Sequence, residues 1–217
     1  SQPNLLEFNY TTTDITCKNS SDGTIQLNIK GGKFTNDGNG KPIYKISSNA
    51  QGLGAVIDIP NQKITGLSVG TWDVIVLDDN NCVIPTHKIK IDEPLMPFAF
   101  GNTKITNVTG NGLINGSIQI SNTGGWENYS YKWYTGNTVN ANTLIPNEES
   151  SLFEGKPAGI YTVVATDKNK DNLGCSLPPI SFQIKQPEAL MLNVIGRNTK
   201  CNDGKGSIIA IAEGGAE

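Results

Sequence analysis

The stretch Asp22-Gly-Thr-Ile-Gln-Leu27 returns as Asn115-Gly-Ser-Ile-Gln-Ile120 and again as Lys205-Gly-Ser-Ile-Ile-Ala210. Gly23 and Gly116 lie 93 residues apart, and the same offset separates Gly32 from Gly125, Cys82 from Cys175 and Pro94 from Pro187. Four landmarks on one spacing define an internal repeat, and the third copy begins after Pro187. A period of this length is too long for a solenoid unit and fits a self-contained β-sandwich. Within the repeated stretch Ile25, Leu27 and Ile29 alternate with Gln26, Asn28 and Lys30. That is the pattern of a strand with one buried and one wet face.

Working outward, repeat one predicts strands at Leu5–Thr12, Gly23–Lys30, Ile43–Ser48, Ala55–Ile59, Lys63–Thr65, Thr71–Asp78 and Thr86–Ile91, divided by Gly, Asn and Pro clusters. Seven short strands point to tandem immunoglobulin-like β-sandwich modules, an all-β fold. The expected modules are 1–94 and 95–187, with 188–217 as the first two strands of a third. Two strands cannot bury a core alone, so that last piece is expected to dock on the second module. Leu67-Ser-Val-Gly-Thr-Trp72 aligns with Gly155-Lys-Pro-Ala-Gly-Ile-Tyr161, a tyrosine-corner position that Trp72 fills in repeat one. The turn Asp78-Asp-Asn-Asn-Cys82 lengthens to Asp167-Lys-Asn-Lys-Asp-Asn-Leu-Gly-Cys175 in repeat two.

A net charge of −3 and a pI near 5.2 leave no electrostatic footprint for nucleic acid. Apolar runs such as Asp73-Val-Ile-Val-Leu77 are strand-sized, far short of a membrane span, so no membrane insertion is expected. With no charged leader and apolar run at the start, an export signal is expected outside these residues. Gly66-Leu-Ser-Val-Gly70 matches a nucleophile elbow in letters only. The segment after it reads as a strand rather than a helix, and repeat two has no serine there. No catalytic residue is assigned.

The ordered marks resemble the SprB-type repeat of gliding adhesins and other giant surface proteins of Bacteroidetes. In repeat one they are Cys17, Gly23, Gly31-Gly32, Tyr44, Gly70, Trp72, Asn81-Cys82 and Pro94. In repeat two they are Gly116, Gly124-Gly125, Tyr131, Trp133, Gly159, Tyr161, Gly174-Cys175 and Gln186-Pro187, followed by Cys201 and Gly206 in the third copy. Repeat one departs from the pattern with Ile46 in place of Trp, and repeat two carries Asn107-Val-Thr-Gly-Asn-Gly112 where the first cysteine belongs. The resemblance implies type IX export, display on the bacterial outer surface and a part in adhesion or gliding motility. It implies no enzyme.

The four cysteines, Cys17, Cys82, Cys175 and Cys201, are disulfide candidates; none has Cys-x-x-Cys spacing, and His87 stands apart. In a seven-strand sandwich Cys17 and Cys82 fall at opposite poles, roughly 20 Å apart. The turn of repeat two points back toward repeat one, so a Cys17–Cys175 bond competes with Cys17–Cys82. No cofactor is required. Calcium is the one candidate ion, at Asp37, Asp78, Asp79, Asp167 and Asp171, although the same residues serve tight turns. In Trp126-Glu-Asn-Tyr-Ser-Tyr-Lys-Trp-Tyr134, alternation sends Tyr129, Tyr131 and Trp133 to one face and leaves Trp126 and Tyr134 as a candidate sugar platform. The partners expected are adjacent repeats of the same chain and a surface polysaccharide or other extracellular surface. The competing reading is a carbohydrate-binding or accessory module of a secreted surface enzyme.

Overall fold

The strands of repeat one fall into two facing antiparallel sheets in a computed structural model that describes residues 4–36, 38, 42–50, 54–199 and 204–215. In chain order they are β1 (Glu7–Thr13), β2 (Gly23–Lys30), β3 (Thr35–Asn36), β4 (Pro42–Ile43), β5 (Lys45–Ser48), β6 (Val56–Asp58), β7 (Lys63–Leu67), β8 (Gly70–Leu77) and β9 (His87–Ile91). One sheet has the order β1-β2-β7-β6 and the other β5-β8-β9. This is how a constant-type immunoglobulin domain divides its seven strands. β3 and β4 form a separate small ribbon, which the strand pattern did not predict. β2 pairs along β1 from Thr24↔Thr13 to Lys30↔Glu7 without a slip.

The alternation read in the sequence is what builds the core. Ile25, Leu27, Ile29, Ile64 and Leu67 from the first sheet meet Ile46, Trp72, Val74, Val76, Ile89 and Ile91 from the second, all buried. Burying each aliphatic side chain contributes about 1.5–3 kcal/mol. The Trp72 indole donates to the Ser68 carbonyl at 3.0 Å, and the Tyr161 hydroxyl donates to the Pro157 carbonyl at 3.0 Å. Both ring donors reach back four residues, so Trp72 does the work of a corner tyrosine. The Ser68 corner joins strand to strand, and no helix occurs among the described residues.

The second repeat supplies β10 (Ala99–Thr106), β11 (Gly116–Thr123), β12 (Tyr129–Thr135), β13 (Leu152–Lys156), β14 (Gly159–Lys168), β15 (Gly174–Ser176) and β16 (Ile180–Ile184). β10-β11-β13 form one sheet, while β14 pairs β12, β15 and β16. By packing, the chain divides into two compact units whose limits differ from the repeat boundary. Unit one is Ser1–Ala99 together with Thr123–Tyr129 and Thr166–Ser176; unit two is Phe100–Asn122, Ser130–Ala165 and Leu177–Glu217.

Unit two has its own core of Ile118, Ile120, Trp133, Phe153, Val163, Ala165 and Ile184. Trp133 stacks on Phe153 with ring centroids 4.4 Å apart, and Tyr161 meets Phe153 edge-on at 5.0 Å.

The unit also holds the hairpin of β17 (Glu188–Arg197) and β18 (Ser207–Gly215). Every residue of β17 is exposed, as is every residue of β18 but Gly215. The expected docking of this hairpin is therefore not observed: Leu190, Leu192, Val194, Ile208 and Ile211 all remain open to solvent.

Candidate functional site: a disulfide-linked strand end in unit one

β1 does not fray at its end. Beyond Thr13 the chain turns inward at Ile15, which is fully buried and donates its N–H to the Asp92 carbonyl at 3.0 Å. The Asp92 N–H returns a bond to Asp14 Oδ1 at 2.9 Å. Thr16 N–H donates to Asp22 Oδ1 at 3.1 Å, and Ser20 donates through both its N–H and its hydroxyl to the Cys17 carbonyl. Asn19, with φ 65°, closes the turn, and its N–H donates to Glu93 Oε2 at 2.9 Å. Glu93 also pairs with Lys18, and the Lys18 ammonium, with the Asn19 N–H, holds the Glu93 carboxyl below its ordinary value. Local hydrogen bonds thus fix Cys17 at a defined place.

The hairpin Thr166–Ser176 receives this end. Cys17 and Cys175 are joined by a disulfide with Cα atoms 5.2 Å apart. Around the bond, Asn169 Nδ2 donates to the Asp14 carbonyl at 2.9 Å, and the Asp14 N–H donates to Asp171 Oδ2 at 3.2 Å. Lys170 Nζ lies 2.8 Å from Asp14 Oδ2, and that contact raises the Lys170 pKa. The Trp126 indole N–H donates to the Ile15 carbonyl at 2.9 Å. Main-chain and side-chain groups of Asp14 and Ile15 are therefore gripped on several sides, and one covalent bond closes the contact.

The receiving hairpin is anchored at its base by its own carboxylate. Asp167, fully buried, accepts the Trp126 N–H at 2.6 Å and the Asn128 N–H at 3.0 Å. Gly125 precedes this contact at φ 70°, and a Cβ there would stand 2.2 Å from Asp167 Oδ2, so only glycine fits. At the tip, Asn169 Oδ1 accepts the N–H groups of Asp171 and Leu173, and Asn172 takes φ 60°.

Repeat one builds a shorter version of the same hairpin. Asp78 Oδ2 accepts the Lys33 N–H at 2.9 Å, while Oδ1 accepts those of Asn80 at 2.9 Å and Cys82 at 2.8 Å. The Lys33 N–H, aided by those of Cys82 and Asn80, holds the Asp78 carboxyl below its ordinary value. Cys82 is exposed and its thiol is free; the competing Cys17–Cys82 bond is not formed. Cys201 and Asp37 lie outside the described residues.

Because the folded-state value of Asp78 is depressed, its contribution to stability is present above the ordinary carboxylate value of about 4. It is lost as pH falls through the depressed folded value. Asp78→Ala is accordingly expected to lower the urea midpoint at neutral pH. The gap to the parent chain should narrow steadily in acid, because the parent carboxyl then protonates too; a gap independent of pH contradicts the assignment.

One sequence expectation changes here. Tyr134 is only 8% exposed and so presents no open ring face for a sugar, while the half-buried Trp126 donates its indole N–H to the Ile15 carbonyl. Tyr134 is buried because residues beyond β12 fold back on it, with Thr135 N–H bonded to the Thr143 carbonyl and a bridge from Tyr134 to Leu144. The oxygen-rich turns are also otherwise engaged. Asp78 and Asp167 cap N–H groups, Asp171 accepts from Asp14, and no group of three or more His, Cys, Asp or Glu converges on a metal position among the described residues. Asp79 donates its N–H to the Lys33 carbonyl at 2.8 Å within the same turn. The clamp of Asp14, Asn169 and Lys170 was not read from the sequence; its one visible sign was the longer turn.

Fold and site together define a tandem all-β protein in which a strand end carrying one cysteine is bound by a hairpin carrying another. Residues 9–38 and 102–138 match the family described as SprB: SprB repeat, and the two matches begin 93 residues apart. Each matched segment contains one copy of the recurring Gly-Thr/Ser-Ile-Gln strand. No curated protein matches it. Among solved structures it is similar to three N-terminal domains of the Highly Immunogenic Outer Capsid protein of bacteriophage RB49, at 11% identity and TM-score 0.38, covering 98% of this chain and 71% of that one. It is also similar to the C-terminal fragment of intimin, solved with the intimin-binding domain of its translocated receptor, at 15% identity and TM-score 0.34, covering 85% of this chain and 66% of that one.

Proposed function

We propose that this chain is a repeat segment of a large secreted adhesin on the bacterial outer cell surface. It acts as a structural stalk and as a multivalent attachment array in surface adhesion and gliding motility, after type IX export. The SprB repeats recurring with one spacing carry this reading. The disulfide supports it, because such bonds persist in oxidising compartments. In this reading residues 1–94 and 95–187 are successive modules and 188–217 opens a third. The role is mechanical and needs no cofactor.

Many weak contacts on one tether gain grip through effective concentration, on the order of 10² to 10⁴ over a single contact. Particles carrying one copy or four linked copies of the chain are therefore compared on polysaccharide-coated surfaces under flow. Retention is expected to rise by about 10²-fold or more with copy number. Retention that does not depend on copy number rejects the array.

A further inference from the structure

We propose that the exposed Cys82 pole of repeat one is a covalent acceptor for the first-strand end of another SprB-type repeat, a segment with the chemistry of Asp14–Cys17. The inference rests on the tandem-repeat reading for the nature of the partner.

Three observations carry it. Cys82 and Cys175 hold the same position in their hairpins. The Asp167↔Cys175 pair is a rung of β14 and β15, while Asp78 N–H donates to the Cys82 carbonyl at 3.1 Å. Each cysteine thus stands opposite an aspartate whose Oδ2 accepts the N–H next after a Gly-Gly pair, Lys33 in one repeat and Trp126 in the other. Second, this position at Cys175 is occupied, and by a first-strand end. Third, the Cys82 thiol is free and borders an open groove of about 320 Å³ lined by Asn4, Leu5, Leu6, Gly32, Asp78 and Val83. The groove, with Leu5, Leu6 and Val83 on its walls, gives an apolar side chain of the incoming segment somewhere to rest. Lys33, which replaces Trp126, supplies an ammonium donor for an incoming carbonyl.

The shorter tip of repeat one lacks the residues corresponding to the extension that carries Asn169, Lys170 and Asp171. Grip around this bond is therefore weaker than at Cys175, and the covalent step contributes more. In that step Cys82 Sγ bonds to the incoming Sγ, the two thiols giving up two protons and two electrons. A low-molecular-weight disulfide accepts them and leaves as two thiols.

The test uses the full chain with Cys201→Ser, so that Cys82 is the one unpaired cysteine, in a glutathione and glutathione disulfide buffer. The probe is a peptide with the sequence of Thr12–Asp22, compared with a scrambled peptide that keeps its single cysteine. Peptide mapping confirms that Cys17–Cys175 stays closed, which also reports that unit one is folded. The native peptide is expected to form roughly tenfold more Cys82-linked disulfide than the scrambled one, equivalent to about 1.4 kcal/mol of recognition. Lys33→Glu should shrink that ratio. Equal capture of both peptides, or a Cys82 carrying only glutathione, overturns the proposal. Neither result bears on copy-number-dependent retention, so the two readings fail separately.

Discussion

Stretched from its two termini, the oxidised chain is expected to release only about 60 residues of contour, roughly 200 Å at about 3.5 Å per residue. Reduction adds the rest. The Cys17–Cys175 bond spans a sequence separation of 158, and a load passing along the chain crosses the two sulfur atoms instead of the loop. That loop holds β2–β9 of the first sandwich and β10–β14 of the second, and none of it can be drawn out while the bond stands. Opening the bond should lengthen the final extension by about 550 Å. Cys17→Ser should behave as reduced protein without any reductant. A bond over so long a loop also stabilises by about 5 kcal/mol on a chain-entropy account. Thermal unfolding of unit one is therefore expected at a clearly lower temperature in the variant. Equal contour lengths with and without reductant refute the bypass.

Trp133→Ala is expected to be the most damaging single change in unit two, costing about 4 kcal/mol in urea unfolding. The indole is fully buried, stacks on Phe153, and donates its N–H to the Ser150 carbonyl at 2.9 Å. Removal leaves a large cavity, strips Phe153 of its stacking partner and orphans one acceptor. The equivalent position in repeat one holds Ile46, 7% exposed, where truncation to Ala removes fewer atoms and no hydrogen bond. That change should cost about 2–3 kcal/mol. A Trp133→Ala chain within about 1 kcal/mol of the parent shows that the ring does not carry this core.

These outcomes depend on features that the sequence revealed to different degrees. Ile25, Leu27 and Ile29 were legible because period-two alternation is a local property of the backbone. Trp72 was legible through its alignment with Tyr161, since both reach back four residues. Tyr134 was misread for the converse reason. Alternation places it opposite Trp133, but the segment that covers it folds back from residues 143–145, a non-local event that no window over the strand records. The clamp on Asp14 and Ile15 was equally invisible, for its donors come from positions 126, 169 and 170. The hairpin of β17 and β18 was read as a pair of strands, yet its docking rested on a need to bury apolar side chains that the structure leaves exposed.

The lengthened hairpin of repeat two carries a rule of arithmetic. Its cysteine stays opposite the aspartate of β14, as Cys82 stays opposite Asp78, while two residues are added to each arm. Strand side chains alternate between faces, so two per arm returns the tip to the face it had before. Asp167 and Asn169, two apart, are both buried: one anchors the loop at Trp126 and the other caps the tip, tasks that Asp78 performs alone in repeat one. One residue added per arm would turn the capping side chain outward. Among repeats of this kind, the distance from anchoring aspartate to cysteine should therefore grow in fours, and a tip of any other length should need a different cap.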